Sequence, residues 1–290
     1  MKMHRMAGFL FLFFSISISA HAKSVRILSW NVFMLPKPIK FSLQVTRTHR
    51  IVEKLRTLPH EVVVLQEAFD RHFRSHIKKD LKDVYPHMYY LGKENLVYPF
   101  MSSGVFVLSK LPFKALDYVF FDWCGTADCY ASKGAVGLEF KNFQLFATHL
   151  QSEERFSLSR FHQTNQIMDL MRTHEENGIP QILVGDLNID GRSSEFEETI
   201  NRMDMIPLAL ASENQSTFGH KNECYKTDGD KFEWLDHILF RDQGEAIAFT
   251  EMKSLDFTFE RKGKRCALSD HLPVETSVSF ASQEFQRPLL

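Results

Sequence analysis

Polar residues of a few kinds recur at the ends of apolar runs in this chain. ILSWNVF carries Asn31, VVVLQEAF carries Glu67, LFATHL carries His149, ILVGDLN carries Asp186 and Asn188, and WLDHILF carries Asp236. A last apolar run is entered through Asp270 and His271, in ALSDHLPVE. Carboxylate and amide oxygens with few thiols suit a hard divalent cation, Mg2+ first. Imidazoles beside carboxylates suit proton transfer near neutral pH. If several of these run ends share one rim, together they describe metal-assisted attack of water on a phosphate ester. Each residue also has a structural reading: Glu67 as a helix cap, Asp236 as a salt-bridged strand residue, Asn31 as a turn former.

The runs that carry these groups read as buried strands, rich in Val, Ile, Leu and Phe and closed by polar or Gly residues. VRILSWNVF, EVVVLQEAF, GVFVLSK, GAVGLEF, FQLFATHL, QILVGDLN, WLDHILF and PVETSVSF make eight. Two helical patterns lie between them. Residues 43–58 place Ile51, Val52, Leu55 and Leu58 on one face, and Pro59 ends the run. Residues 155–176 place Leu158, Phe161, Met168 and Met171 together, with Gly178 as the stop. Segments 92–103, 211–232 and 260–266 show the weakest pattern. Strands mixed with a few helices indicate a layered α/β or α+β domain.

Residues 1–22 are expected to stand apart from this domain. Lys2 and Arg5 precede an apolar stretch from Ala7 to about Ile18 and the small-x-small end Ala20-His21-Ala22. That is the pattern of a secretory signal peptide, so the protein is expected to be secreted after cleavage behind Ala22. The stretch is short for a spanning helix. Residues 23–290 are then expected to form a single catalytic domain. With 44% hydrophobic residues the chain can bury a substantial core, and a net charge of −1 argues against a general polyanion binder. Four cysteines in an oxidising milieu allow three pairings. Cys124–Cys129 with Cys224–Cys266 is expected, because the first two share one short loop, and the spacings do not suit a zinc site.

In chain order, SWNVF, VVVLQEAF, GVFVLSKLP, ATHLQSE, ILVGDLNID, WLDHILF and LSDHLPVE resemble the endonuclease/exonuclease/phosphatase superfamily. The resemblance runs over nearly all of residues 24–281, and the GDxN element with a terminal SDHxPV is its specific part. It implies a DNase I-like fold, a four-layer α/β/β/α sandwich of two packed mixed β-sheets. It also implies roles. Glu67 is the expected main Mg2+ ligand, with Asn31 and Asp270 beside it; Mn2+ or another divalent cation is the alternative. His271 is expected to touch the phosphate or activate water, with Asp236 holding it as the carboxylate of a triad holds its imidazole. Asp186 and Asn188 would position the nucleophile and the oxyanion, and His149 would stabilise charge or protonate the leaving group. Family members differ over whether the Asp or the His is the general base, so Asp186 and His271 both stay candidates.

Within the superfamily, THLQSE followed by RFHQTNQ, and CGTADCYASKGAVGLEF, are similar to the secreted neutral sphingomyelinases. That branch implies hydrolysis of sphingomyelin to ceramide and phosphocholine at a bilayer surface, with no obligate protein partner. Lys133 would offer a cation to the phosphate, against the plainer reading of a strand-edge lysine. Phe120, Phe121 and Trp123 could meet a choline headgroup or a lipid interface, or could be core. Two departures stand out. Arg71 follows the Glu67 segment and MSSG precedes the next strand, with no acidic pair, so a second peripheral cation site is expected to be missing. Arg261, Lys262, Lys264 and Arg265 surround Gly263 where those enzymes often carry an aromatic-tipped hairpin. A basic turn there favours anionic lipid or a nucleic-acid backbone, unless it is simply a solvated turn. The alternative function is therefore a secreted nuclease of the same superfamily, although nucleic acid ranks behind lipid as the partner. A phosphoinositide phosphatase comes third, and a non-catalytic binding protein on the same scaffold is the reading from another class.

Overall fold

The structure, a computed structural model, describes residues 24–36, 39–92, 102–176, 179–211, 216–220, 222–225, 231–241 and 247–280. The expected signal peptide and its cleavage site lie outside the described residues.

All eight strands read from the apolar runs form, and they divide between two sheets. The first sheet holds β1 (Ser24–Asn31), β2 (Val62–Gln66), β3 (His87–Gly92), β4 (Ser102–Ser109) and three late strands, β11 (Ile247–Phe249), β12 (Lys253–Ser254) and β15 (Val274–Phe280). Its order is β11-β15-β1-β2-β4-β3, with β12 also on β15. The second holds β5 (Lys114–Phe120), β6 (Gly134–Glu139), β7 (Gln144–His149), β8 (Gln181–Asp186), β9 (Ile206–Pro207) and β10 (Asp236–Arg241), in the order β5-β6-β7-β8-β10-β9. Each sheet contains one parallel pair, β1 with β2 and β7 with β8, and the other pairings are antiparallel. A parallel pair needs a crossover. The crossovers are helices, α1 (Gln44–Thr57) between β1 and β2 and α3 (Ser157–Thr173) between β7 and β8.

Period-two alternation sorts the strand residues into three layers of core. Ile27, Val62, Val64 and Val107 face the second sheet, where Val136, Leu145, Ile182, Val184 and Ile238 meet them. Their neighbours Leu28, Trp30, Val63, Leu65 and Leu108 face outward, under Ile51 and Leu55 of α1 and under Phe73 and Ile77 of α2 (Arg71–Asp80). On the far side Phe146, Leu183 and Leu239 pack under Ile167 and Met171 of α3 and under Phe196 and Met203 of α4 (Ser194–Met203). Because both faces of the central strands are covered, their sequences are nearly unbroken apolar runs. The result is the expected four-layer α/β/β/α sandwich.

Three expectations need correction. Leu158 and Phe161 do not join the buried face of α3; they are 61% and 44% exposed, while Arg160, Gln163 and Thr164 are buried in their place. The first turns of α3 pack on a polar loop rather than on the sheet. The Gln163 side chain accepts from the Gln151 N–H at 2.8 Å and donates to the Trp123 carbonyl at 2.7 Å. Arg160 pairs with Glu195 at 2.7 Å and donates to the carbonyls of Gln151, Glu153 and Glu154. The second correction is that residues 260–266 are not weakly structured. They form a hairpin of β13 (Thr258–Arg261) and β14 (Lys264–Ala267), turned by Lys262 and Gly263, both at positive φ. Much of the rest of segments 92–103 and 211–232 lies outside the described residues. The third is the number of helices, since α2 and α4 lie in stretches with no helical expectation.

Both expected disulfides form, Cys124–Cys129 and Cys224–Cys266. Among the described residues no helix is long and apolar enough to cross a membrane.

Candidate active site

Topology brings the polar strand ends together. Asn31 and His149 close β1 and β7, Asp186 closes β8, and Glu67 follows β2 directly. The neighbours β15 and β10 run antiparallel to these strands, so their starts lie at the same end, bringing Asp270, His271 and Asp236 there. Register sharpens the match, with Asp186 paired across the sheet to His149 on one side and Asp236 on the other.

The two sheets are stitched at this rim. Asn31, from the first sheet, donates from Nδ2 to Asp186 Oδ2 of the second at 2.9 Å and to Glu67 Oε1 at 3.1 Å. Its Oδ1 accepts from the Phe33 N–H at 3.0 Å, which fixes the orientation of the amide. As placed, Asn31 therefore turns its N–H side, not its oxygen, to the carboxylates. It holds Glu67 and Asp186 in position, and its oxygen is not presented as a ligand. The second stitch is His271, whose Nδ1 lies 2.8 Å from Asp236 Oδ2. The Asp186 carboxylate sits between two imidazoles, with Oδ2 3.8 Å from His271 Nε2 and 3.6 Å from His149 Nε2, and its Oδ1 accepts from the Asn188 N–H at 2.9 Å. Glu67, Asn188 and Phe33 all hold positive φ, strain at the chain bends that aim these groups.

Burial sets the charges. Glu67 Oε2 is buried without a partner. Loss of water, and then the nearby charge of Asp270, push the Glu67 carboxyl up to about 7. Asp270 is raised by its own burial. Two neighbouring carboxylates whose proton affinities are raised by burial, one with an orphaned oxygen, are what a hard divalent cation would neutralise. The donor set fits such an ion. A second grouping, Asp186, Asp236 and His271, also has its ligand atoms within 4.8 Å of one another. There the short Asp236–His271 hydrogen bond already supplies the positive partner. Burial alone would lower His271, but Asp236 and then Asp186 outweigh it and hold the imidazole up to about 10. His149 goes the other way, driven well below its ordinary value by burial and by Lys133.

Lys133 is buried and spends its three N–H groups within the protein, on Asp128 Oδ2 at 2.6 Å, Leu150 O at 2.7 Å and His149 Nε2 at 3.1 Å. With Nε2 accepting from Lys133, the proton of neutral His149 sits on Nδ1, which is buried and unpartnered. Asn188 Nδ2 also donates to Leu150 O, at 3.0 Å. Of the three aromatic residues near the short disulfide, Phe120 and Phe121 pack against the cores, whereas Trp123 is exposed and stacks on His162 with centroids 4.0 Å apart.

Several supporting residues escaped sequence reasoning. Arg47 looks like a surface helix residue, yet it is fully buried and donates to the carbonyls of Val32, Phe33 and Leu268, tying the Asn31 strand end to the Asp270 loop. Ser269 Oγ donates to Asn31 O at 2.6 Å, and Asp128 also accepts from the Ser152 N–H at 2.7 Å. Ser269 alone had a signal, its place beside Asp270 and His271.

Two packed mixed sheets with a carboxylate–imidazole cluster at their common rim define a class of α/β proteins built to act on phosphate esters. The endonuclease/exonuclease/phosphatase family profile matches residues 28–271, and the chain belongs to that family. It is 30% identical over 207 residues to sphingomyelinase C 2 of Leptospira interrogans. That match covers 62% of this chain and 33% of the relative, so the chain spans about a third of that protein's length. Sphingomyelinase C from Streptomyces griseocarneus is similar in structure, with a TM-score of 0.72 and 25% identity over 88% of this chain and 99% of that one. A β toxin variant from Staphylococcus aureus, crystallised with bound magnesium ions, has a TM-score of 0.71 at 20% identity, over 88% and 99% of the two chains, a likeness of fold.

Proposed function

We propose that this chain is a secreted, Mg2+-dependent phosphodiesterase that hydrolyses sphingomyelin to ceramide and phosphocholine at a bilayer surface, and that residues 23–290 are its one catalytic domain. The observation that carries the reading is the meeting of Glu67, Asp270, Asp186, Asp236 and His271 at one seam, with one Glu67 oxygen buried and unpaired. The choice of sphingomyelin rests on the names of the similar proteins and on the disulfide loop that leads to Lys133.

Glu67 and Asp270 would hold the cation, with Asn31 orienting Glu67. Bound there, Mg2+ would supply Lewis-acid stabilisation of charge on the phosphoryl oxygens. The remaining work falls to side chains. Asp236 pins His271 Nδ1, leaving Nε2 to face the phosphoryl group beside Asp186. Attack of water forms one P–O bond and breaks the bond to the ceramide oxygen. The water proton passes to Asp186, because His271, held up to about 10 by its two carboxylates, already carries both ring protons at neutral pH, and the ceramide oxygen takes a proton in return. The protonated His271, whose Nε2 faces the site beside Asp186, is the donor placed for that second transfer, while neutral His149 flanks Asp186 on its other side. Lys133 orients His149 and adds a nearby positive charge.

Sphingomyelin vesicles with Mg2+ should yield phosphocholine, and EDTA should stop the release. Glu67→Gln should raise the Mg2+ concentration needed for half-maximal activity while leaving vesicle binding unchanged. No release, alongside cleavage of plasmid DNA, would transfer the case to a nuclease. That second reading is favoured by the exposed Arg261, Lys262 and Lys264 at the β13–β14 turn.

A further inference from the structure

Away from the rim, three histidines meet on the outer helical layer. His49 belongs to α1, and His72 and His76 belong to α2, four residues apart and so on one helical face. His76 is the centre of the group. Its ring centroid lies 5.2 Å from that of His49 and 4.5 Å from that of His72, both edge to face. Its Nδ1 lies 2.8 Å from Asp80 Oδ2, one further helical turn along.

We propose that His49, His72 and His76 form a binding site for a zinc-class transition-metal ion that clips α1 to α2. Three arguments support it. The first is spacing: imidazoles sharing one tetrahedral ion through nitrogens about 2.0–2.1 Å from it have centroids roughly 5 Å apart, close to the two separations seen here. The second is the tautomer. The Asp80 carboxylate on Nδ1 leaves the lone pair of neutral His76 on Nε2, the arrangement that orients and strengthens metal-bound histidines. The third is access. The His49 and His72 side chains are exposed, and His76 and Asp80 are only half-covered, at 25% and 35% exposure. The rings stand edge to face, and as placed their nitrogens do not all lie within 4.8 Å of one another, so binding an ion requires the two exposed side chains to rotate. Of the neighbouring cations, Arg50 is paired with Glu53 at 2.9 Å. An all-imidazole site selects zinc, copper or nickel and rejects Mg2+, which prefers oxygen. It is therefore chemically distinct from the rim and independent of the function proposed above.

The test titrates Zn2+ into the full chain with Mg2+ saturating, following heat of binding and thermal unfolding, and repeats this for H49Q and for H72Q/H76Q. The intact chain should bind one more Zn2+ than either variant. Its Tm should rise by roughly 5 °C or more at a hundredfold excess over Kd, because the ion binds only the folded helix pair. Both variants should lose that rise and keep phosphodiesterase activity in Mg2+ alone. Equal Zn2+ stoichiometry and equal Tm response in all three proteins would overturn the site and leave the rim untouched. A Zn2+ titration that leaves the Tm of the intact chain unmoved would overturn it as well.

Discussion

His271 is reached by Asp236 through Nδ1 and faces Asp186 through Nε2, so Asp236 sets its orientation and both carboxylates sustain its charge. Truncation to alanine should cost about a hundredfold or more in turnover, the order expected for a positioned acid–base group. Asp236→Asn removes the orienting contact together with the charge that does most to hold His271 protonated. The amide can turn an N–H toward Nδ1, which forces the ring into the other tautomer, and a comparable loss of roughly two orders of magnitude with intact folding is the expected result. A neighbouring histidine tests stability instead. His237 is buried against Phe196 and Trp234, has Nε2 2.9 Å from the Ile189 carbonyl, and is lowered by burial to about 4. Unfolding returns it to about 6.5, so between those values the unfolded chain binds more protons. Stability is then full above about pH 6.5 and falls as pH drops toward 4, by on the order of 3 kcal/mol from this group. Urea midpoints of the parent chain and of His237→Gln at pH 4.5 and 7 should show the parent losing more. Equal losses would refute the assignment.

At the scale of elements, the site depends on how closely β7 and β8 approach. A Cβ on Gly185 would lie 2.1 Å from the Thr148 carbonyl oxygen, a backbone atom that cannot step aside without parting the strands. Gly185→Ala should destabilise the fold by about 1–3 kcal/mol and should also slow turnover, because His149 and Asp186 are paired across that junction. Gly263 is the contrast. Its φ of +73° makes alanine strained there, but nothing lies within 4 Å of the added atom. Gly263→Ala should cost about 1 kcal/mol of stability and leave the rate unchanged. Chemical denaturation and vesicle turnover measured on both variants separate strain from site geometry.

Across the whole molecule, the two disulfides play different parts because they close loops of different length. Cys224–Cys266 spans 42 residues, and loop-closure entropy assigns it about 4 kcal/mol. It anchors the segment that places Tyr225 beside Arg47 and against the Ala267 carbonyl. Cys124–Cys129 spans 5 and lies in the loop that presents Asp128 to Lys133. Removing the long closure by Cys224→Ser with Cys266→Ser should lower Tm markedly. Removing the short one should cost turnover more than Tm. Calorimetry alongside the vesicle assay reads both, and identical profiles would show that loop length is not what distinguishes them.

What the chain declares on its own is whatever local patterning must satisfy. Most of the buried strands had to be apolar on both faces, and β15 alternates polar with apolar residues, so all eight were legible, and each polar residue ending one stood out against its run. The short span from Cys124 to Cys129 likewise left little choice of partner. Tertiary structure decided the rest. Arg47, Arg160 and Gln163 carry the polarity of surface residues, and only the arrival of distant carbonyls and carboxylates lets them be buried. Leu158 and Phe161 are the converse: their helical spacing is correct, but the covered face of these turns meets a polar loop through Arg160 and Gln163, which leaves the two apolar residues exposed. Neither the pairing of Asn31 with Asp186, 155 residues away, nor the gathering of three histidines from two helices is written in any local pattern. Both follow from sheet order and helix packing, where contacts are chosen by the fold as a whole.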